Sequence, residues 1–211
     1  MPIRAGDVIT RAQIVLNDNS PPYVRWEKPE MFGWLNDAAC EVVIRPPDAR
    51  AVTAALALAA GTLQSLPDGG LELLDVVRNV GGRAIRRTDR QLIDDSAPDW
   101  HSLKQASAVR HFTFDERAPK TFYVYPPAKA GVQIEALYSE APPVVTEEDD
   151  QLDLDRAYIG PLVSYILYRA LAKDSEFANG ALAAAHFQAF TEALGTNNQV
   201  TAAASPNVAS V

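Results

Sequence analysis

The first fifty residues carry apolar side chains at the period of a helix. Within residues 8–16 the apolar positions fall at i, i+4, i+7 and i+8, which predicts an amphipathic helix ending before Asn17. A second helix is predicted from about Pro29, because proline is favoured in a first turn, and Pro46 should end it. Its predicted buried stripe consists of Met31, Trp34, Leu35, Ala38, Val42 and Val43.

From about residue 50 to 141 the period changes to two, the spacing of strands. The alanine-rich run 51–60 is ambiguous, since alanine favours helix while the larger residues alternate. Gly61 and Thr62 look like a hairpin turn, so two strands joined there are expected. Further strands are predicted in LELLDVV, RAIRR, HFTFDE, TFYVYPP and VQIEALYSE, with a short helix in TDRQLIDD. Such a meander should form an antiparallel sheet.

The aromatic run at 121–128, TFYVYPPA, raises the question of a binding surface. Alternation places Phe122 and Val124 on one face of its strand and Tyr123 and Tyr125 on the other, so one pair should be core. The two prolines at 126 and 127 should end ladder pairing, because proline cannot donate a hydrogen bond.

After the linker APPVVTEEDDQ the helical period returns. Asp174 is a candidate cap for a last helix, and Gly195 suits its C′ position. The predicted faces of the two final helices contain Tyr158, Leu162, Tyr165, Ile166 and Arg169, then Phe177, Ala181, Ala184, Ala185, Gln188 and Phe190. No charged or aromatic residue follows Glu192, so the tail cannot fold alone and is either disordered or ordered by a partner.

Together these segments predict an α+β fold. Residues 1–49 and 150–195 should form a helical bundle, and residues 50–149 an inserted antiparallel β-rich region. Residues 196–211 are expected to be an extended C-terminal tail.

The net charge of the chain limits the kinds of partner that it can bind. The 211 residues have a formal net charge of −8, which argues against binding nucleic acid over the whole surface but is compatible with a local basic patch. Cys40 is the single cysteine, and a lone helical cysteine is expected to be a small buried hydrophobe. The N-terminus lacks a signal peptide and no apolar stretch is long enough to span a bilayer, so we expect a soluble protein made in a reducing cytoplasm.

Five arginines within thirteen residues form the main candidate surface. They are candidates for contact with a phosphate or an acidic partner, and the alternative is pairing with nearby aspartates. The arginines are Arg78, Arg83, Arg86, Arg87 and Arg90, and the aspartates are Asp75, Asp89, Asp94 and Asp95.

The acidic segment around residues 147–155 is a weak candidate for a divalent-cation site. It lacks the spacing and the glycine of a calcium loop, so it is better explained as a solvated linker whose acids favour the next helix N-terminus. Its acids are Glu147, Glu148, Asp149, Asp150, Asp153 and Asp155.

Strand aromatics and catalytic motifs add little. Phe112, Phe114, Phe122, Tyr123 and Tyr125 resemble a base-stacking surface, but without the accompanying basic and glycine pattern they fit core and cross-strand pairs better. No nucleophile elbow, phosphate loop or His-Glu metal motif occurs. The sequence therefore predicts no enzyme activity, no catalytic residue, no cofactor and no metal.

The order of several stretches resembles the head-to-tail adaptors of podovirus-like phages, the tail tubular protein A or gatekeeper family. The stretches are RWEKPEMFGWLNDAACEVVIRPPDA, GTLQSLP, LLDVVRN, DDSAPDWHS, HFTFDERAPKTFYVYPPA and YILYRALAKDSEFANGALAAAHFQAFTEALG. They cover most of residues 1–195 and are more specific in combination than singly.

This resemblance implies a virion structural protein, made in the host cytoplasm, that forms a ring of about twelve copies. The ring would join the portal protein to the tail nozzle or tail tube, with DNA as passing cargo and no membrane partner. It also implies no catalytic residues. The candidate protein-interface residues are Arg78, Arg83, Arg86, Arg87, Arg90, Asp115, Glu116, Arg117, Lys120, Asn197, Val200 and Val208.

Two other functions stay open at this stage. One is a nucleic-acid-binding module that uses the Arg78–Arg90 cluster and the strand aromatics. The other is a metal-dependent hydrolase built on Glu147–Asp155.

Overall fold

The computed structural model describes residues 2–18, 25–173 and 178–204, with side chains as far as residue 195. The chain forms two compact units, one comprising Met1–Arg50 with Pro142–Val211 and the other Ala51–Ala141. In chain order the elements are β1 (Ile3–Arg4), α1 (Ala5–Leu16), α2 (Lys28–Ile44), β2 (Ala51–Ala57), β3 (Gly61–Ser65), β4 (Gly70–Asn79), β5 (Arg86–Arg87), α3 (Arg90–Ser96), β6 (His111–Thr113), β7 (Thr121–Ala128), β8 (Gln133–Glu140), β9 (Gln151–Leu152), α4 (Ile159–Ala172) and α5 (Gly180–Ala204). Helices and antiparallel sheets together confirm the predicted α+β class.

The helical unit is organised around α4, which packs against α1, α2 and α5. Leu162 and Ile166 of α4 are fully buried, and all six residues predicted for the stripe of α2 are buried as well. On α1, however, Val15 is 60% exposed while Ile9 is buried, so the predicted face is rotated. Within the described residues, no helix is long and apolar enough to cross a membrane.

The last helix differs from the sequence prediction in its face and its length. Among the side chains of α5 up to residue 195, Ala183, Phe190 and Leu194 are buried, whereas Ala181, Ala184, Ala185 and Gln188 are exposed. The helix also continues through Gly195 to Ala204, so residues 196–204 are not extended. Alanine-rich sequence without a proline before position 206 is compatible with helix. Asp174, Phe177 and residues 205–211 lie outside the described residues.

The segment that returns to the helical unit is fixed by hydrogen bonds. The Asn36 amide donates to the Val145 carbonyl and accepts from the Val145 N–H, each at 2.9 Å. The N–H of Gly6 donates to the Glu148 carbonyl and that of Ala5 to the Asp150 carbonyl. Residues 142–149, which the sequence placed in the β-rich insertion, therefore pack with the helices.

The β-rich unit consists of two sheets with the strand orders β2-β8-β4 and β3-β7-β6-β5. All pairs are antiparallel except the short β5–β6 pair. The two sheets contribute to one core, with Leu73, Val76 and Ile134 from the first and Phe112, Phe122 and Val124 from the second.

The predicted hairpin at Gly61 is wrong, and the predicted meander holds only for β6 and β7, which follow each other and pair antiparallel. β2 pairs with β8 and β3 pairs with β7, so the chain changes sheets between them. Gly61 supplies this change with a φ of 108°, in the region that favours glycine. The Gln64 side chain holds the turn by bonding the N–H and C=O of Ala59 and the C=O of Gly61.

The strand β7 has the two faces that its alternation predicted. Phe122 and Val124 are fully buried in the core, while Tyr123 and Tyr125 are half-buried on the other face. That outer face is covered by Trp100, whose ring lies 6.1 and 6.2 Å from the two tyrosine rings. The prolines do not end the strand, which pairs again at Ala128 after a register shift.

Asn79 ties the loop after β4 to the segment that leads into β6. Its buried amide donates to the carbonyls of Val109 (2.8 Å) and Arg83 (3.1 Å) and accepts from the Val109 N–H at 2.8 Å. All three bonds are made to backbone N–H and C=O groups of residues that lie outside the strands. The Asn79 side chain therefore holds the loop that carries Arg83 together with the backbone bonds between Asn79, Gly82 and Arg83.

Replacing Asn79 with alanine should destabilise the β-rich unit by about 2–3 kcal/mol, because it leaves the buried N–H and C=O of Val109 without partners. Urea unfolding followed through NMR signals of this unit measures the change. Gln133→Ala, at an exposed site on β8, is the control and should stay within about 0.5 kcal/mol. Equal losses in the two variants would contradict the role given to Asn79.

Candidate interaction surfaces

The predicted arginine cluster separates into paired and unpaired side chains. Arg78 forms an ion pair with Glu135 of β8 at 2.7 Å, and Arg90 pairs with Asp94 one turn along α3 at 3.3 Å. Asp94 also accepts a hydrogen bond from the Trp100 indole, whereas Asp89 caps α3 through the Gln91 N–H. The expected neutralisation by nearby acids thus holds for only part of the cluster.

Two of the arginines lie over aromatic rings. The Arg87 guanidinium is 4.6 Å from the centre of the Phe114 ring, and that of Arg90 is 5.5 Å from the Tyr123 ring. Such contacts hold a guanidinium against the surface and leave its edge in solvent.

The remaining arginines, Arg83 and Arg86, gather around His111 together with Arg110. Arg86 is the register partner of His111 across the parallel β5–β6 pair, and its N–H donates to the Arg110 carbonyl. All three guanidinium groups are on exposed residues, and none has an ion pair in the part of the chain that the structure describes. We call Arg83, Arg86 and Arg110 the arginine patch.

The pKa of His111 is affected by the positive charges of the arginine patch. Burial lowers the pKa of this imidazole, and the charges of Arg83, Arg86 and Arg110 lower it further. Its Nδ1 atom is buried without a hydrogen-bond partner. Sequence reasoning missed Arg110 because it lies twenty residues beyond the cluster, and only the β5–β6 pairing brings it near.

The predicted loop at 115–120 lies next to the other part of the cluster. Asp115 accepts two side-chain bonds and one backbone bond from Arg117, at 2.9–3.1 Å. These bonds, and more weakly the charge of Arg90, lower the pKa of Asp115. Glu116 raises the pKa of Glu72 on β4, after the larger effect of burial. Arg117 is thus internally paired, and Lys120 is exposed.

The other predicted contact residues lie in the C-terminal segment. Asn197 and Val200 are in the helical backbone of α5 beyond the last described side chain, and Val208 lies outside the described residues.

The acidic segment is occupied by contacts within the helical unit. Asp150 accepts from the N–H groups of Thr146 and Glu147, which lowers the pKa of its carboxyl. Three other acids form ion pairs. Asp149 pairs with Arg4 and Glu148 with Lys28 at exposed sites, and Asp153 pairs with the partly buried Arg50. Asp155 caps the short turn at Arg156–Tyr158. Among the described residues no group of His, Cys, Asp and Glu is arranged to hold a metal ion.

A groove of about 620 Å³ lies between α2 and the segment 145–148. Its walls are mainly apolar and include Pro29, Phe32 and Val145, with Lys28 and Glu148 among the lining residues. Among the described residues, no metal-binding cluster belongs to its lining.

The lone cysteine is on the surface of α2, contrary to the expectation of a buried hydrophobe. Partial burial raises the pKa of the Cys40 thiol, and the negative charges of Asp37 and Glu41 raise it further. Cys40 follows the buried Ala38 and Ala39, so its position turns away from the core side of the helix.

The exposed charges of a two-unit α+β chain are the features most suited to contact with other macromolecules. The chain belongs to the SU10 adaptor protein family, whose model matches residues 3–210. This is a family of bacteriophage adaptors, so the chain is a virion component that meets other head and tail proteins. Such a structural role is compatible with the absence of catalytic motifs. No curated protein matches the sequence.

Removing one arginine of the patch should raise the pKa of His111, because positive charge nearby disfavours the imidazolium. We expect this for Arg83→Gln and for Arg110→Gln in an NMR titration of the imidazole signals, assigned with His111→Gln. Arg117→Gln, which removes an arginine paired with Asp115, is the control and should leave the titration unchanged. An unchanged midpoint in both patch variants would show that the arginines do not act on His111.

The Cys40 thiol should react with a disulfide reagent at pH 8 more slowly than a model thiol, because a raised pKa leaves less thiolate. Glu41→Gln removes a negative charge and should move the rate-against-pH midpoint to lower pH. Glu27→Gln, before the start of α2, is the matched control. A midpoint that Glu41→Gln does not move would show that Glu41 has no effect on the thiol and leave burial and Asp37 as the causes.

Proposed function

We propose that the chain forms a ring of about twelve copies that joins the portal to the tail nozzle, with DNA passing through its lumen. Membership of a phage adaptor family over residues 3–210 carries this proposal. The predicted chain order, with a helical unit made from both ends and a β-rich insertion, agrees with it. The copy number and the named partners rest on the resemblance of the sequence to podovirus-like adaptors.

Two surfaces supply contacts for the ring and its neighbours. The arginine patch offers guanidinium groups that no described acid neutralises, which suits carboxylates of a partner protein. The loop 115–120 carries exposed charges of both signs. Exposed charged groups of this kind steer association and fix register more than they add affinity.

The C-terminal segment is the proposed attachment to the portal. From residue 193 to 211 it carries no charge, so it can be buried against a partner without the desolvation of ions. An acidic chain also suits a channel that must release DNA, because cationic walls would bind phosphates.

Nucleic-acid binding by strand aromatics loses its support from the fold. Phe112 and Phe122 are buried in the core, and Tyr123 and Tyr125 are covered by Trp100. The arginine patch could still contact phosphates, and such binding by the isolated protein would be strongly salt-dependent. A DNA mobility assay at low salt separates the two functions.

Mixing the protein with its cognate portal should give a ring on the portal, visible by electron microscopy and by mass. Deletion of residues 205–211 should weaken this attachment, because it removes uncharged contact surface while leaving α5 at full length. Deletion of 196–211 should weaken it further.

The control is Lys104→Gln, a single exposed change outside the C-terminal segment and outside both proposed contact surfaces. Unchanged attachment after both deletions would contradict the role of this segment. A chain that forms no ring with or without portal would contradict the function itself.

A further inference from the structure

The strand β2 forms an open edge of the β-rich unit. It is the outer strand of the sheet β2-β8-β4 and bonds only to β8 among the described residues. Its seven register pairs, from Ala51 with Ser139 to Ala57 with Gln133, run without a shift. An edge strand that pairs regularly with one neighbour leaves the backbone N–H and C=O groups of its other side available to another strand.

The hydrogen bonds beside β2 show which of its residues face outward. Leu58 donates its N–H to Val132 and accepts from Gly131, both on the β8 side. In an antiparallel ladder alternate residues bond to the same neighbour. Val52, Ala54 and Leu56 therefore bond to β8, and the N–H and C=O groups of Ala51, Thr53, Ala55 and Ala57 point away from the sheet.

The opposite edge of the same sheet is closed. β4 shows three register shifts against β8. Its outer groups are also engaged, since Leu73 donates to Pro119, Asn79 donates to Arg83, and Val77 accepts from Ile85. Shifts and covering loops are the usual ways in which proteins protect an edge. β2 has neither.

The composition of β2 also leaves it unprotected. No charged residue occurs between residues 51 and 67, although 22% of the whole chain is charged, and β2 itself contains no proline. The outward-bonding residues of β2 have exposed side chains, and these are three alanines and a threonine. Nothing in these side chains obstructs a second strand.

We propose that β2 accepts a strand from a second copy of this chain, by backbone hydrogen bonds to the outward groups of Thr53, Ala55 and Ala57. Two chains of charge −8 repel each other least where the contact surface carries no charge, and 51–67 is such a surface. Backbone bonds supply affinity in strand addition, and small side chains allow close approach. This inference rests on the proposed function, because it requires that copies of the chain assemble with one another.

The symmetry of the assembly restricts which strand of the second copy can be added to β2. Pairing of β2 with β2 of the second copy is two-fold symmetric and closes at a dimer. A ring needs a different donor strand, because each copy must present two unlike surfaces. The mass of the assembly distinguishes these cases, and deletion of residues 205–211 tests whether the donor is the C-terminal segment.

Ala55→Pro is the sharpest test of the open edge. It removes an N–H that points away from β8, so the ladder of the sheet itself stays intact. Ala55→Ser keeps the N–H and serves as the matched control. We expect Ala55→Pro to weaken self-association at least about tenfold in a concentration series by mass photometry, with Ala55→Ser close to the native chain.

Hydrogen exchange locates the contact directly. In assemblies, with or without portal, the amides of Thr53, Ala55 and Ala57 should be protected relative to dilute monomer, while those of Val52, Ala54 and Leu56 are protected in both. Circular dichroism melting verifies that each variant folds. If Ala55→Pro does not fold, Ala55→Lys, which keeps the N–H and adds a charge to the edge, replaces it.

The outcomes separate this inference from the proposed function. Rings whose Thr53, Ala55 and Ala57 amides exchange as in the monomer would overturn the strand addition and leave the adaptor function standing. Assembly that stops at two copies with protected amides would support the open edge and contradict the ring. A chain that stays monomeric alone and with portal would contradict both.

Discussion

The packing of α4 against α1 and α2 is the constraint on which the chain depends. Neither end of the sequence can bury its apolar face alone, because the core of the helical unit combines Leu35 of α2 with Leu162 and Ile166 of α4. The chain that leaves this unit after Arg50 must therefore return at Pro142. The ninety-one residues between them form a unit whose two ends are held to one helical core.

Buried and half-buried polar side chains fix the irregular segments that this arrangement requires. Asn36 bonds both backbone groups of Val145 in the returning segment, and Asn79 does the same for Val109 in the β-rich unit. Gln64 holds the turn where the chain changes sheets, and Asp18 accepts from the N–H groups of Arg25 and Trp26. In each place a side chain substitutes for the ladder bonds that the backbone lacks, which removes the cost of burying unpaired groups.

The sequence predicted the helices and strands better than it predicted which of them pair or pack together. The face of α2 was predictable, because large apolar residues alternate with polar ones at the helical period. The face of α5 was not, since buried Ala183 and exposed Ala184 are the same residue type. The strands β2 and β3 lie close in sequence yet pair with β8 and β7, and such long-range pairing is decided by the common core and by register.

Pairing between residues far apart in sequence also explains why the structure changes the set of arginines predicted for the interface. Whether an arginine is available depends on an acid that local sequence does not reveal, as Arg78 shows by pairing with Glu135, fifty-seven residues away. Pairing removes Arg78 and Arg117 from the set of free charges, and strand topology adds Arg110 to Arg83 and Arg86. The β-rich unit thus has unneutralised positive charge at the edge strand β5 and an uncharged open edge at β2. Unlike edges of this kind suit the ring proposed above, in which each copy presents two different surfaces.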